Sequence, residues 1–143
     1  MNIVIYKSEI LEALKRESSL VSKGAFSNSG ESLHNRIYID EYEFKVVEGA
    51  YQEALSVLVA STREFLAMEP EITDSYINLS LHKSYPEMRE AIKSDIAAFI
   101  TFRVMTSWLS MVYPASAPFY QQAAISTLNN LNTKLYFKAP PMR

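Results

Sequence analysis

Every acidic residue of this chain lies at or before Asp95, and none follows it. The 143 residues carry 16 Asp and Glu against 14 Lys and Arg, for a net charge of −2. Residues 1–95 hold 10 of the basic residues, so they sum to −6. The 48 residues from Ile96 onward hold Arg103, Lys134, Lys138 and Arg143 and sum to +4. Between Ile96 and Thr133 the only ionised side chain is Arg103. A helix at the surface of a monomer normally turns a charged face to water. A charge-bare C-terminal third therefore restricts the fold: its helices must be enclosed by the rest of the chain or by another subunit.

The length fits one domain, expected over residues 1–135 with a tail over 136–143. Glycine numbers only 3, which disfavours a turn-rich sheet protein and leaves no glycine-rich phosphate loop. Cysteine is absent, which removes disulfide scaffolds, thiolate metal sites and cysteine nucleophiles. Met1 to Tyr6 is too short an apolar run for a secretory signal. The window Ile96–Val112 is apolar, but Arg103 at its centre would cost a few kcal/mol in a bilayer. It reads as a buried helix, and no membrane association is expected.

Apolar periodicity predicts four helices. The first runs from about Glu9 to Val21, capped by Ser8, with Leu11, Leu14, Ser18 and Val21 on one face. Residues Ser22 to Asn35 are rich in Ser, Asn and Gly and read as a loop. The second helix opens on Asp40 with Glu43 three residues on, a capping-box pattern. It continues through Phe44, Val47, Tyr51, Ala54, Leu58, Thr62 and Phe65 toward Pro70. Tyr76 to His82 alternates apolar and polar residues, a strand pattern, with Arg36–Ile39 as the expected partner in a small two-stranded ribbon. The third helix is expected from Ser84, with Pro86 in its first turn, to Val112. The last starts near Ser116, with Pro118 in its first turn and Tyr120, Ala124, Leu128, Leu131 and Leu135 along its stripe. Pro140 and Pro141 cannot continue it, so the tail is expected to be extended. The fold class read from this pattern is mainly α: a four-helix bundle-like domain with a small β ribbon and an extended C-terminal tail.

No catalytic, cofactor or metal constellation emerges. His34 and His82 are isolated and match no metal spacing. The carboxylate pairs Glu41/Glu43, Glu69/Glu71 and Glu87/Glu90 sit at expected helix starts or in a turn, where negative charge favours the helix dipole. No serine lies in a nucleophile elbow. With an isoelectric point near 5.7, sequence-specific DNA binding is not expected. A ring of repeated Lys134, Lys138 and Arg143 could still face DNA or an acidic partner without reading bases.

Charge depletion with aromatic residues and Met present is the composition of an interface core. Trp108, Met111, Tyr113, Phe119 and Tyr120 gather around the turn between the last two helices. Tyr136, Phe137 and Arg143 are candidate anchors of the tail. These eight residues are the expected subunit interface, with the interior of the chain's own bundle as the competing location. An acidic part facing a basic part favours head-to-tail contacts, which close into rings or propagate as filaments.

The long capped helix from Asp40-Glu41-Tyr42-Glu43-Phe44, the Trp108-bearing helix and the final helix running into Leu135-Tyr136-Phe137-Lys138-Ala139-Pro140-Pro141-Met142-Arg143 are similar in layout to a known group. They resemble the small head–tail connector (neck or adaptor) proteins of tailed bacteriophages and prophages. The resemblance spans most of the chain as an arrangement and rests on no diagnostic motif. It implies a structural virion protein assembled in the host cytoplasm: a twelvefold ring around a DNA channel, contacting portal and tail-side proteins. It implies no catalytic residue, no cofactor and no small-molecule substrate, so none is carried over. The other reading of the same residues is a small helical protein-binding or regulatory module.

Overall fold

The computed structural model describes residues 1–26, 29–83 and 87–136. The chain is mainly helical, with a small three-stranded antiparallel sheet. In order, it forms β1 (Asn2–Tyr6), α1 (Lys7–Lys23), α2 (His34–Ile37), α3 (Glu41–Val46) and α4 (Glu48–Thr62). Then follow β2 (Glu71–Ile72), β3 (Tyr76–Ser80), α5 (Arg89–Val112) and α6 (Ala117–Leu135). Single 3₁₀ turns, Arg63–Phe65 and Pro114–Ser116, follow α4 and α5.

The alternating strand at Tyr76 is present, but its partner is not the expected one. Residues His34–Ile37 form a helical turn, and the ribbon's central strand β3 pairs instead with β1 and with β2. Opposite Ile3 lies Leu79, and opposite Ile5 lies Ile77. All four are buried, because side chains two apart share one face of a strand. The Met1 amino group extends the pairing by donating to the Leu81 carbonyl at 3.0 Å. The sheet thus lays one apolar face on the helices, which gives a short sheet the support it needs.

α1 begins one residue before the expected cap. Tyr6 occupies the cap position, and its N–H donates to the Glu9 carboxylate at 3.3 Å. The expected second helix is two helices. Asp40 caps α3 as anticipated, its carboxylate accepting the N–H groups of Tyr42 at 2.8 Å and Glu43 at 3.0 Å. Val47 then leaves helical dihedrals, and the chain re-enters helix at Glu48. Gly49 in that first turn lowers the local helix propensity. Lys7 spans the break: its ammonium is 2.7 Å from Glu48 and 5.3 Å from the ring centres of both Phe44 and Tyr51. Residues 84–86, where the third helix was expected to start, lie outside the described residues; α5 is helical from Arg89.

α5 is the centre of the molecule and packs against α1, α4, α6 and β1. It is long and apolar enough to cross a membrane by length and composition alone. Ile92, Ile96, Phe99, Ile100, Val104, Met105, Trp108 and Leu109 are all buried within the chain's own core. Trp108 is 6% exposed, and its indole N–H donates to the Ile37 carbonyl at 2.6 Å. That bond ties α5 to the short helix α2. At the far end Tyr113 leaves helical dihedrals, since the residue before a proline is disfavoured in the α region, and Pro114 turns the chain back into α6.

Trp108→Ala is expected to lower stability by roughly 3–5 kcal/mol, the range for emptying a large aromatic site. Trp108→Phe keeps most of the apolar area but orphans the Ile37 carbonyl, and should lose about 1–3 kcal/mol. Urea unfolding followed by circular dichroism separates the two; equal stability for all three chains would contradict this placement.

Candidate interface surface

The eight expected interface residues divide into four groups. Trp108 and Tyr120 belong to the chain's own core, which corrects their assignment to a subunit interface. The cause is packing: both sit where α5 and α6 face inward. Tyr120 meets Phe102 with ring centres 5.9 Å apart, and its hydroxyl donates to Glu17 of α1 at 2.9 Å. Burial first, and the Glu17 carboxylate next, hold the Tyr120 phenol protonated well above the ordinary tyrosine range. Met111 and Phe119 are exposed, at 57% and 70%, with Tyr113 half-buried between the core and water. Tyr136 is exposed but held by its own chain: its hydroxyl donates to Glu64 and its ring stands edge-on to Phe65, centres 4.8 Å apart. Phe137, Lys138 and Arg143 lie outside the described residues.

The basic residues that were expected to face DNA or a neighbour are also redistributed. The Lys134 ammonium is 2.5 Å from the Asp95 carboxylate, and both side chains are mostly covered. Arg103 reaches Glu53 of α4 at 2.9 Å. Arg103 and Lys134 are thus each paired within the chain, with Glu53 of α4 and Asp95 of α5. Lys134 is a poor candidate for a channel contact, because leaving Asp95 would strand a partly buried carboxylate.

What remains on α6 is a broad uncharged side. Buried or half-buried positions such as Ala117, Tyr120, Ala124, Leu128, Leu131 and Leu135 pack inward. The exposed positions of the helix are Pro118, Phe119, Gln121, Gln122, Ile125, Ser126, Asn129, Asn130 and Thr133. None of the nine carries a charge. Two grooves flank this side. One, between α5 and α6, is lined by Arg103, Thr106, Ser107, Ser110, Gln121 and Ala124. The other lies between the C-terminal half of α1 and the α5–α6 corner, and Leu20, Val21, Tyr113, Phe119 and Tyr120 give it apolar and aromatic walls. Periodicity located the stripe of α6 that packs inward; only the packed helices show which opposite side is left over.

The histidines hold local structure. His34 Nδ1 is 2.6 Å from the Ser22 hydroxyl oxygen, whose proton goes to the Ser19 carbonyl, and the His34 ring stacks on Tyr38. Ser22 is buried, so this pair fastens the loop onto α1 and offers no open nucleophile. His82 is exposed, and its backbone N–H donates to the Phe65 carbonyl. Among the described residues, no group of three or more His, Asp or Glu could hold a metal ion. No protein-family model, curated protein or solved structure matches the chain.

The part-buried Tyr120–Glu17 bond leads to a pH-dependent expectation. The neutral phenol is favoured in the folded state, so its contribution is complete below the unfolded tyrosine pKa of about 10. It is lost as pH rises from there through the higher folded value. Tyr120→Phe should lower stability near neutral pH by about 1 kcal/mol and make the alkaline decline above pH 10 shallower. Urea midpoints measured between pH 8 and 11 check both; parallel curves would contradict the placement of Tyr120.

Proposed function

We propose that this chain is a structural assembly subunit, a member of a homo-oligomeric ring of the head–tail connector type in a tailed bacteriophage or prophage. In this reading it performs no catalysis and binds no cofactor. It joins a portal on one side and tail components on the other, around a channel for DNA, in a virion neck assembled in the host cytoplasm. The single observation that supports the assembly role is the solvent-facing side of α6, nine exposed positions without an ionised residue. Phe119 and Ile125 stand exposed among amides and hydroxyls on this side, and depletion of charge with aromatic residues present is the composition found at interface cores.

What supports the connector identity is the layout of the Trp108-bearing helix and the final helix, since the long capped helix of the resemblance is split at Val47. The pairing of Arg103 and Lys134 within the chain alters one part of the expectation. Attraction between a basic and an acidic face contributes less to subunit contact than burial of the uncharged side of α6. Any channel-facing positive charge then falls to Lys138 and Arg143.

Introducing charge on this side tests the assembly role without touching the core. Gln122→Lys together with Asn129→Glu should change the stability of the monomer by no more than about 0.5 kcal/mol, since both positions are exposed. It should abolish self-association, because unpaired charges would be buried in the contact. Native mass spectrometry of the parent chain at tens to hundreds of micromolar is expected to show oligomers, and of the variant only monomer. Removing Lys138 to Arg143 should likewise leave unfolding unchanged and weaken assembly. A parent chain that stays monomeric at all concentrations would instead favour a small helical binding module.

A further inference from the structure

We infer that Arg89, Glu9 and Lys93 form a guard on the free edge of β1, which stops that edge from pairing with the same edge of a second copy. This device stands apart from the assembly role above: it keeps a contact closed.

β1 is the strand that needs such protection. In the order β1-β3-β2 it pairs on one side only among the described residues. The other outer strand, β2, is two residues long and carries Glu71. β1 is five residues, Asn2-Ile3-Val4-Ile5-Tyr6, without a charge, proline or glycine and with three β-branched residues in a row. A free strand of that composition is a template for another strand. Its open groups follow from the ladder. Met1 and Leu81 exchange backbone hydrogen bonds, and the Lys7 N–H donates to the Ser75 carbonyl. Odd-numbered residues therefore turn their backbone groups to β3. Asn2, Val4 and Tyr6 turn theirs outward, by the alternation of an antiparallel pair.

Charge reaches this edge from other elements. The Arg89 guanidinium donates to the Asn2 carbonyl at 3.4 Å, and the Tyr6 N–H donates to the Glu9 carboxylate at 3.3 Å. Lys93, one turn after Arg89 on α5, stands 3.8 Å from Glu9. Charged side chains thus hold both ends of the edge, and α5 supplies the first of them and steadies the second. The two occupied groups are the ones a second β1 would use. Two copies paired antiparallel about Val4 set Asn2 of each opposite Tyr6 of the other. The Asn2 carbonyl would then accept the opposing Tyr6 N–H, while the Tyr6 carbonyl, at the cap position of α1, is committed to the helix. Such a pair forms four neutral bonds, two at Val4 and two between Asn2 and Tyr6. It gives up four charge-assisted bonds, two in each copy, and these are the stronger kind. Without the guard the same four bonds form and none is given up.

The experiment uses the full chain carrying Gln122→Lys and Asn129→Glu, so that contact through α6 does not contribute and the result does not bear on the assembly role. Sedimentation from tens to hundreds of micromolar is paired with amide hydrogen exchange at Val4, read by NMR. With the guard in place the chain is expected to stay monomeric and the Val4 N–H to exchange as an open amide. Adding Arg89→Ala and Glu9→Ala should produce dimers and slow Val4 exchange at least tenfold at the highest concentration. Where loss of Glu9 prevents folding, Arg89→Ala with Lys93→Ala leaves the start of α1 intact and is expected to dimerise in its place. Val4→Lys in the unguarded chain should restore the monomer, because it sets two like charges opposite each other. A folded, unguarded chain that stays monomeric would overturn the inference. So would dimers in which Val4 still exchanges freely, dimers that survive Val4→Lys, or a guarded chain that already pairs with Val4 protected.

Discussion

The enclosure of α5 governs the rest of this structure. A 24-residue helix with buried side chains along its whole length needs walls on several sides. α1, α4, the sheet edge at β1 and α6 supply them. The Trp108 indole bond to Ile37 fixes α5 to α2, and the Tyr113-Pro114 turn sends the chain back along it as α6. α6 is thus the outermost wall: it contributes one side to the core and has another left over. In a self-contained monomer that outer side would be expected to carry Lys, Glu or Arg. Here Arg103 and Lys134 pair with Glu53 and Asp95, and the outer side is left to amides, hydroxyls, Pro118, Phe119 and Ile125.

The helices were legible wherever a 3.6-residue apolar period ran undisturbed. α6 follows from Ser116, Pro118 and the stripe Tyr120 to Leu135, and the Asp40 cap follows from its side chain and the Glu43 after it. The break at Val47 was not legible, because Phe44, Val47 and Tyr51 keep helical spacing straight through it. The sheet was half legible. Ile77 and Leu79 alternate with polar neighbours, but Asn2 to Tyr6 contains three consecutive apolar residues, Ile3, Val4 and Ile5. Such a run has no visible period, and pairing across about 75 residues leaves no local trace. Arg36–Ile39 has suitable β-branched residues yet sits where Ile37 and Ile39 are needed in the helical core.

The candidate surface was legible in kind more than in detail. Charge depletion pointed to the segment that carries the uncharged side of α6, but composition cannot tell an enclosed aromatic residue from an exposed one. Trp108 and Tyr120 face the core because α5 and α6 each turn their largest residues toward α1 and α2 there; Met111 and Phe119, one turn or less away, point out. Ion pairs were similarly opaque, since Lys134 and Asp95 are 39 residues apart and nothing local couples them.

If the outer side of α6 is covered by another copy, Met111, Phe119 and Ile125 become inaccessible together on assembly. Hydroxyl-radical footprinting, compared between a dilute sample and one at several hundred micromolar, measures this directly. Oxidation of these three residues should fall severalfold at high concentration, while Met68, exposed on a different part of the molecule, stays reactive. Undiminished oxidation of Phe119 and Ile125 in a sample whose mass is oligomeric would contradict the central role assigned to this surface.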